Sequence, residues 1–247
     1  MGLGNDKKNY RFVSLRTMEV LSDGKKEINP RFILSTKIEG TKEYEQSEAF
    51  GYISGKLVDI RKDSYQWGDQ EVKQCILFLY DKTEDATYKV EMPNGQLTRS
   101  IQNSLLTIPD FSDIKISVYR YTRKTDQKVI AAASVSWNVS ANPQKADWKY
   151  SFEELKPYFD KVVFKGKEQI DSDRADEFLA NLAIEYILPI VKKSNTDSGL
   201  PPSDVIERTA EETGPTEGQV LLNGLGPDRK ATSFDSSGPG ETDDLPF

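Results

Sequence analysis

The stretch EVKQCILFLY, residues 71–80, decides the fold, because its apolar side chains occupy both alternating sets of positions. One set consists of Val72, Ile76, Phe78 and Tyr80, and the other of Cys75, Leu77 and Leu79. Successive side chains of a β-strand point to opposite faces of the sheet, so this pattern is typical of a strand covered on both faces. We therefore predict that residues 71–80 form a central strand of a β-rich domain.

Shorter apolar segments surround this strand, separated by turn residues. Alternating patterns predict strands at residues 31–39, 49–61, 86–92, 113–122 and 128–137, and helical spacing predicts a short helix at 100–108. From residue 49 onwards the order is three strands, a helix and two strands, which is the order of the OB-fold, a five-stranded partly open barrel. The periodicity alone also fits another small barrel or a sandwich. The position of the helix, together with the C-terminal tip described below, favours a mainly β, OB-like barrel, with Gly51 and Gly55 at bulges or tight bends.

The segments on either side of this barrel differ in character. Residues 1–30 are polar, and we predict an N-terminal extension with at most one strand. Ser151 and Glu154 have the spacing of a capping box and predict the start of a helix. A second helix is predicted at residues 172–193, packed on the barrel and kinked near Pro189.

The composition changes after residue 193. Residues 194–247 are rich in Gly, Pro, Ser, Thr and acids, and their net charge is −8, from 3 basic and 11 acidic residues. The preceding 193 residues hold the other 30 basic and 29 acidic residues, a net charge of +1. We predict one folded domain at 31–193 and a disordered acidic tail at 194–247. The net negative charge of the chain thus lies in the tail, and the domain is free to carry a basic surface.

Several kinds of catalysis lack their residues in this sequence. The chain has no histidine and a single cysteine, Cys75, which removes Ser-His and Cys-His mechanisms and His- or Cys-ligated metal sites. Neither phosphate-binding glycine motif, G-x-x-x-x-G-K-[ST] or G-x-G-x-x-G, is present. Asp59, Asp63 and Asp69 cluster near one predicted loop and leave a carboxylate-dependent metal nuclease as an alternative. We expect no catalysis, no cofactor and no metal.

The sequence also gives an expectation for the compartment. No apolar run approaches the length of a membrane span, and residues 1–8 are polar, unlike a signal peptide. The single cysteine allows no internal disulfide, which fits a reducing compartment. We therefore expect a soluble, cytoplasmic protein with no membrane partner.

The sequence finishes on an acidic and apolar tip, which consists of Asp243, Asp244, Leu245, Pro246 and Phe247. Two acids and a terminal carboxylate next to an aromatic ring suit capture in a small apolar pocket rimmed by Lys or Arg. The tip closely resembles that of bacterial and bacteriophage single-stranded-DNA-binding proteins, and the acidic linker and the domain plan are similar.

This resemblance implies a protein that coats single-stranded DNA during replication, recombination and repair. It also implies that the tip recruits partners such as polymerases, helicases, primases or nucleases, and self-association of the chain is compatible with it. Two alternatives remain open. The tail can be a merely solvated acidic terminus, or the barrel can bind protein, as in an interaction adaptor.

An OB-fold binds its ligand across its second and third strands, between the loop joining strands 1 and 2 and the loop joining strands 4 and 5. Aromatic rings there stack on bases, and basic residues follow the phosphates. The first loop and its bordering strands supply the candidates Lys56, Arg61, Lys62, Tyr65, Trp67 and Lys73. The second loop and the strand before it supply Lys115, Tyr119, Tyr121, Arg123, Lys124 and Lys128. On that strand we expect the two tyrosines and Lys115 to face away from an aliphatic core.

Overall fold

The computed structural model describes residues 10–22, 25–37, 44–164 and 166–197. The strands are β1 (Tyr10–Ser22), β2 (Lys25–Lys37), β3 (Tyr44–Phe50), β4 (Tyr52–Trp67), β5 (Gln70–Asp81), β6 (Ala86–Pro93), β7 (Ile114–Thr122), β8 (Val129–Trp137), β9 (Gln144–Lys145), β10 (Asp160–Phe164) and β11 (Lys167–Asp171). The helices are α1 (Gln96–Leu105), α2 (Phe152–Leu155), which continues into a 3₁₀ turn at Lys156–Tyr158, and α3 (Asp173–Asp197). The fold is mainly β with a C-terminal helix, as predicted. No helix in this described part is long and apolar enough to span a membrane.

Nine strands form one sheet in the order β3-β2-β1-β6-β5-β4-β7-β8-β9. Among the strands of the described residues, β1 and β6 run parallel, and the other neighbouring pairs are antiparallel. β2 also contacts β7 and β8, although four strands lie between β2 and β7 in the sheet. The sheet therefore curls back on itself and encloses the main core, in which Phe32 of β2 is fully buried with Ile116 of β7.

The predicted order of three strands, a helix and two strands is present in β4, β5, β6, α1, β7 and β8. β4 pairs with both β5 and β7, and β7 pairs with β8. However, β6 pairs with β1 and not with β8, so these five strands form no closed barrel in the described part of the chain. A larger sheet stands in place of the predicted five-stranded barrel, because strands from the first fifty residues extend it.

Several strands begin or end at other residues than predicted, because polar segments join the sheet. The predicted polar extension contains β1 and the start of β2, and β3 covers part of residues 40–48, the polar loop expected between the predicted strands 31–39 and 49–61. β4 runs on to Trp67, through residues predicted as a loop, because its polar end continues to pair with β5 as far as the Trp67–Gln70 pair. At the other end α3 extends to Asp197, beyond the predicted start of the tail at Ser194.

Other local predictions are confirmed. Ser151 caps α2 through a capping box with Glu154, whose side chain accepts a hydrogen bond from the Ser151 backbone N–H at 2.7 Å. β5 is buried over most of its length, and its two sets of apolar side chains enter two different clusters. Leu77 lies in the main core and Phe78 lies in a smaller cluster with Val58 and Ile76. The second cluster marks the opposite side of the sheet, which we call the outer side.

Helix α3 packs against β4 and α1 through a buried apolar stripe that includes Leu179, Ala183 and Ile187. Its position is fixed by polar contacts as well. Asn195 Nδ2 donates to the Val58 carbonyl at 2.8 Å, and Arg99 of α1 pairs with Asp176 at 2.7 Å. Burial raises the pKa of Asp176 to about 6, although Arg99 and Ser172 act to lower it. The helix thus runs along β4 and ties it to α1.

Gly55 lies where β4 changes partner from β7 to β5. Its φ is +153°, and a Cβ atom there would lie 2.7 Å from the Tyr80 carbonyl oxygen. We expect Gly55→Ala to lower the free energy of unfolding by about 2–3 kcal/mol, since strain and a backbone clash combine. Gly51→Ala is the matched control, because its Cβ would meet only the Val118 carbonyl oxygen at 3.8 Å. Urea unfolding of both variants measures the difference, and equal stabilities would contradict the need for glycine at position 55.

Candidate nucleic-acid interface

The outer side of β1, β6, β5 and β4 carries a group of aromatic and basic side chains that we call the aromatic face. It consists of Tyr10, Phe12, Arg61, Phe78, Tyr80 and Lys89. The strand registers bring these residues together: Phe12 lies opposite Lys89, which lies opposite Phe78, and Tyr10 lies opposite Thr87, which lies opposite Tyr80. Strand β1, which is distant in the sequence, therefore joins the three consecutive strands β4, β5 and β6 in one surface.

Two cation–ring contacts organise the aromatic face. The Arg61 guanidinium lies 5.0 Å from the centre of the Phe78 ring, and Lys89 Nζ lies 5.7 Å from the centre of the Phe12 ring. Phe78 is buried, whereas Tyr10, Phe12 and Tyr80 are half-buried. Burial raises the pKa of Tyr10. The charge of Arg61 acts to lower this pKa, and the charge of Asp59 acts to raise it. Phe12 and Tyr10 thus stand beside positive charge, as stacking on bases and pairing with phosphates require, whereas the Tyr80 hydroxyl donates to Asp85 at 2.8 Å.

Both cations of this face already have carboxylate partners. Arg61 Nε lies 2.6 Å from Asp59 Oδ2, and Lys89 Nζ lies 2.8 Å from Glu91 Oε1. Asp59 is buried and also accepts a hydrogen bond from the Ile60 backbone N–H, so it fixes Arg61 in place. A phosphate group would have to share or replace these carboxylates, so each cation exchanges one anionic partner for another when DNA binds.

The residues predicted around the first loop lie along β4 and β5. Arg61, Tyr65 and Trp67 alternate on β4 and share the outer side, so they continue the aromatic face towards the turn after β4. Lys62 and Lys73 lie on the opposite side and contact α3: Lys62 Nζ donates to Asn181 Oδ1 at 2.6 Å, and Lys73 Nζ lies 3.6 Å from Glu177 Oε2. The structure therefore separates these two lysines from the aromatic face.

The residues predicted on the second hairpin lie at the other end of β4. Lys115, Tyr119 and Tyr121 of β7 project away from the buried Ile114, Ile116 and Val118, as predicted. In the turn after β7, Arg123 forms an ion pair with Asp126, and Lys128 Nζ lies 3.7 Å from the same carboxylate. The hydrogen bond from Arg123 holds the pKa of Asp126 well below its usual range. Lys124 is exposed in this turn.

Trp67 and the two tyrosines do not form one cluster, because nearly the whole of β4 separates them. β7 pairs with β4 at Tyr52–Gly55, whereas Trp67 is the last residue of β4. At about 3.3 Å per residue this is roughly 50 Å measured along the strand. The aromatic face occupies the interval between the two groups.

Of the six residues of the aromatic face, sequence reasoning named only Arg61 as a candidate site residue. Tyr10 and Phe12 belong to a segment predicted as a polar extension, and Lys89 gave no signal of its own. One usable signal was present: Phe78 and Tyr80 share one face of a strand whose other face fills the main core. The second apolar face of β5 thus indicated that side chains also pack on the outer side of the sheet.

Asp243, Asp244, Leu245, Pro246 and Phe247 lie outside the described residues. Among the residues that the structure does describe, no group of three or more His, Cys, Asp or Glu side chains is arranged to hold a metal ion. Comparisons of the chain with protein-family models, with curated proteins and with solved structures found no match.

Proposed function

We propose that this protein binds single-stranded DNA across the aromatic face, with little preference for sequence. The observation that carries the proposal is the placement of two half-buried rings of β1 beside positive charge: Lys89 Nζ lies over the Phe12 ring, and Arg61 acts electrostatically on Tyr10. Aromatic rings stack on every base, at about 1–3 kcal/mol per base, and duplex DNA does not offer its base faces. The same surface therefore favours single strands over duplexes.

The fold supports this proposal through its strand order. β4 to β8 with α1 are the parts of an OB-type module, which we infer is enlarged by the β1–β2 hairpin and β3. In such a module the ligand crosses the second and third strands, which correspond to β5 and β6 here. Phe78, Tyr80 and Lys89 belong to these two strands.

The wider role follows from the sequence. We infer that the protein coats single-stranded DNA in replication, recombination or repair, in the cytoplasm of a bacterial or phage-infected cell, without catalysing a reaction. The tip at Asp243, Asp244, Leu245, Pro246 and Phe247 then docks partner proteins such as a polymerase, helicase, primase or nuclease. Its support is the resemblance of these five residues to the tips of single-stranded-DNA-binding proteins.

The test is a titration of a fluorescent oligothymidine and of a duplex of equal length, each at two salt concentrations. We expect the protein to bind the single strand more tightly than the duplex at both salt concentrations, with log affinity falling linearly as log salt rises. Absence of binding at low salt would refute the proposal and favour an adaptor whose domain binds protein. Cleavage of the strand on addition of Mg²⁺ would instead indicate a carboxylate-dependent nuclease.

A further inference from the structure

A second pairing of ring and cation lies on the outer side of the sheet, beyond the aromatic face. Tyr52 of β4 is 55% exposed, and Lys115 Nζ of β7 lies 4.0 Å from the centre of its ring. Tyr119 and Tyr121 of β7 are half-buried on the same side. We call these four residues the second patch. An exposed tyrosine that carries a lysine above it offers both a stacking surface and a phosphate partner.

The strand registers place the second patch next to the aromatic face. Tyr80 of β5 lies opposite Lys56 of β4, and Lys115 of β7 lies opposite Ser54 of β4. Tyr80 and Lys115 are therefore two strand spacings apart, or about 10 Å across β4 and two residues along it. Two outer-side residues of β4 lie between them, Lys56 opposite Tyr80 and Ser54 opposite Lys115. Lys56 Nζ donates to the Ser194 carbonyl of α3 at 3.2 Å, and Ser54 is small. The path from the aromatic face to Tyr52 therefore crosses a single strand at Ser54, beside Lys56.

We propose that a bound single strand leaves the aromatic face across β4 at Ser54 and stacks again on the second patch, with a phosphate near Lys115. This inference rests on the proposed function and defines its ligand: a strand long enough to occupy both surfaces. The two surfaces act as linked sites, so a strand held on the first meets the second at high effective concentration.

A dependence on length follows. OB-type sites cover about 4–16 nucleotides, and a strand near the lower limit fills only the aromatic face. Such a short strand gains nothing from the second patch. A strand near the upper limit stacks on both surfaces, so removing the second patch should weaken only the longer ligand.

The experiment compares oligothymidines of about 5 and about 15 nucleotides on the full chain, by fluorescence anisotropy. The variant is Tyr52→Ala with Lys115→Ser, and the matched control is Tyr186→Ala with Lys192→Ser, an exposed tyrosine and lysine of α3. We expect the first variant to bind the long strand about tenfold more weakly and the short strand within twofold of the parent. The control should match the parent for both lengths, and thermal unfolding checks that both variants fold.

The outcomes separate this inference from the proposed function. Suppose that the parent binds both oligothymidines, and that the Tyr52→Ala, Lys115→Ser variant either keeps its affinity for both or loses affinity for both equally. The second patch is then not part of the DNA-binding surface. The proposed function would survive that result. If the parent binds neither strand, the proposed function fails, and this inference fails with it.

Discussion

Replacing Tyr10, Phe12 and Tyr80 together by Ala should lower affinity for oligothymidine by about 100-fold or more. Each ring that stacks on a base contributes about 1–3 kcal/mol, and a loss of 1.4 kcal/mol is tenfold in affinity. The salt dependence should stay close to that of the parent, because no phosphate contact is removed. Fluorescence anisotropy at two salt concentrations measures both quantities.

The matched control removes two aromatic rings elsewhere, by Trp148→Ala and Tyr186→Ala. These side chains are 47% and 60% exposed, and neither belongs to β1, β4, β5 or β6. The control should bind oligothymidine like the parent. Because the triple variant removes partly buried rings, Lys89→Gln serves as a second test that keeps the rings. It should lower affinity for every sequence alike and reduce the salt slope by about 0.7. Normal binding by both Lys89→Gln and a folded triple variant would place the interface elsewhere.

The parts of the fold that were predictable depend on local patterns. The doubly apolar stretch of β5 predicts a covered strand, and the structure buries it on both sides. The Ser151–Glu154 capping box and the apolar stripe of α3 are also local signals, and both elements form. Each signal lies within one element, where side-chain periodicity and backbone geometry are coupled directly.

The parts that were missed depend on pairing between distant segments. The end of β4, KDSYQW at residues 62–67, lacks an apolar alternation, yet it is a strand because β5 supplies its hydrogen bonds. The parallel pairing of β1 with β6 joins segments far apart in the chain and has no local signature. Propensity and periodicity describe single segments, so they do not reveal which strands become neighbours.

The candidate site was also predictable only in part: the chemistry of some residues was, and their placement on one side of the sheet was not. Arg61, Tyr65 and Trp67 were identified from their chemistry, and the structure places all three on the outer side of β4. Lys62 and Lys73 share that chemistry but lie on the other side, because a strand directs neighbouring side chains to opposite faces. Tyr10 and Phe12 enter the site only through the pairing of β1. The chemical inventory of the site is therefore easier to predict than its geometry.

The tip gives a second prediction with a large effect, because it separates docking from DNA binding. Residues 194–247 carry a net charge of −8, whereas the preceding residues carry +1. A tethered anionic segment competes with phosphate for a basic surface, so deleting residues 198–247, which removes ten of the eleven acids and keeps α3 with its Asn195 contact, should strengthen binding to oligothymidine at low salt. Deleting only residues 243–247 removes two of the eleven acids and should leave DNA affinity nearly unchanged.

Loss of partner capture is the expected result of the smaller deletion and of Phe247→Ala, since each removes the ring that an apolar pocket would bind. Phe234→Ala is the matched control, because Phe234 is the other aromatic residue of residues 194–247 and lies outside the tip. The measurement is capture of polymerase, helicase, primase or nuclease from a bacterial lysate, alongside the oligothymidine titration. The parent and Phe234→Ala should retain the same partners, whereas Phe247→Ala should lose them at unchanged DNA affinity. Equal capture by all three proteins would show that residues 194–247 act through charge alone, as a solvated acidic tail.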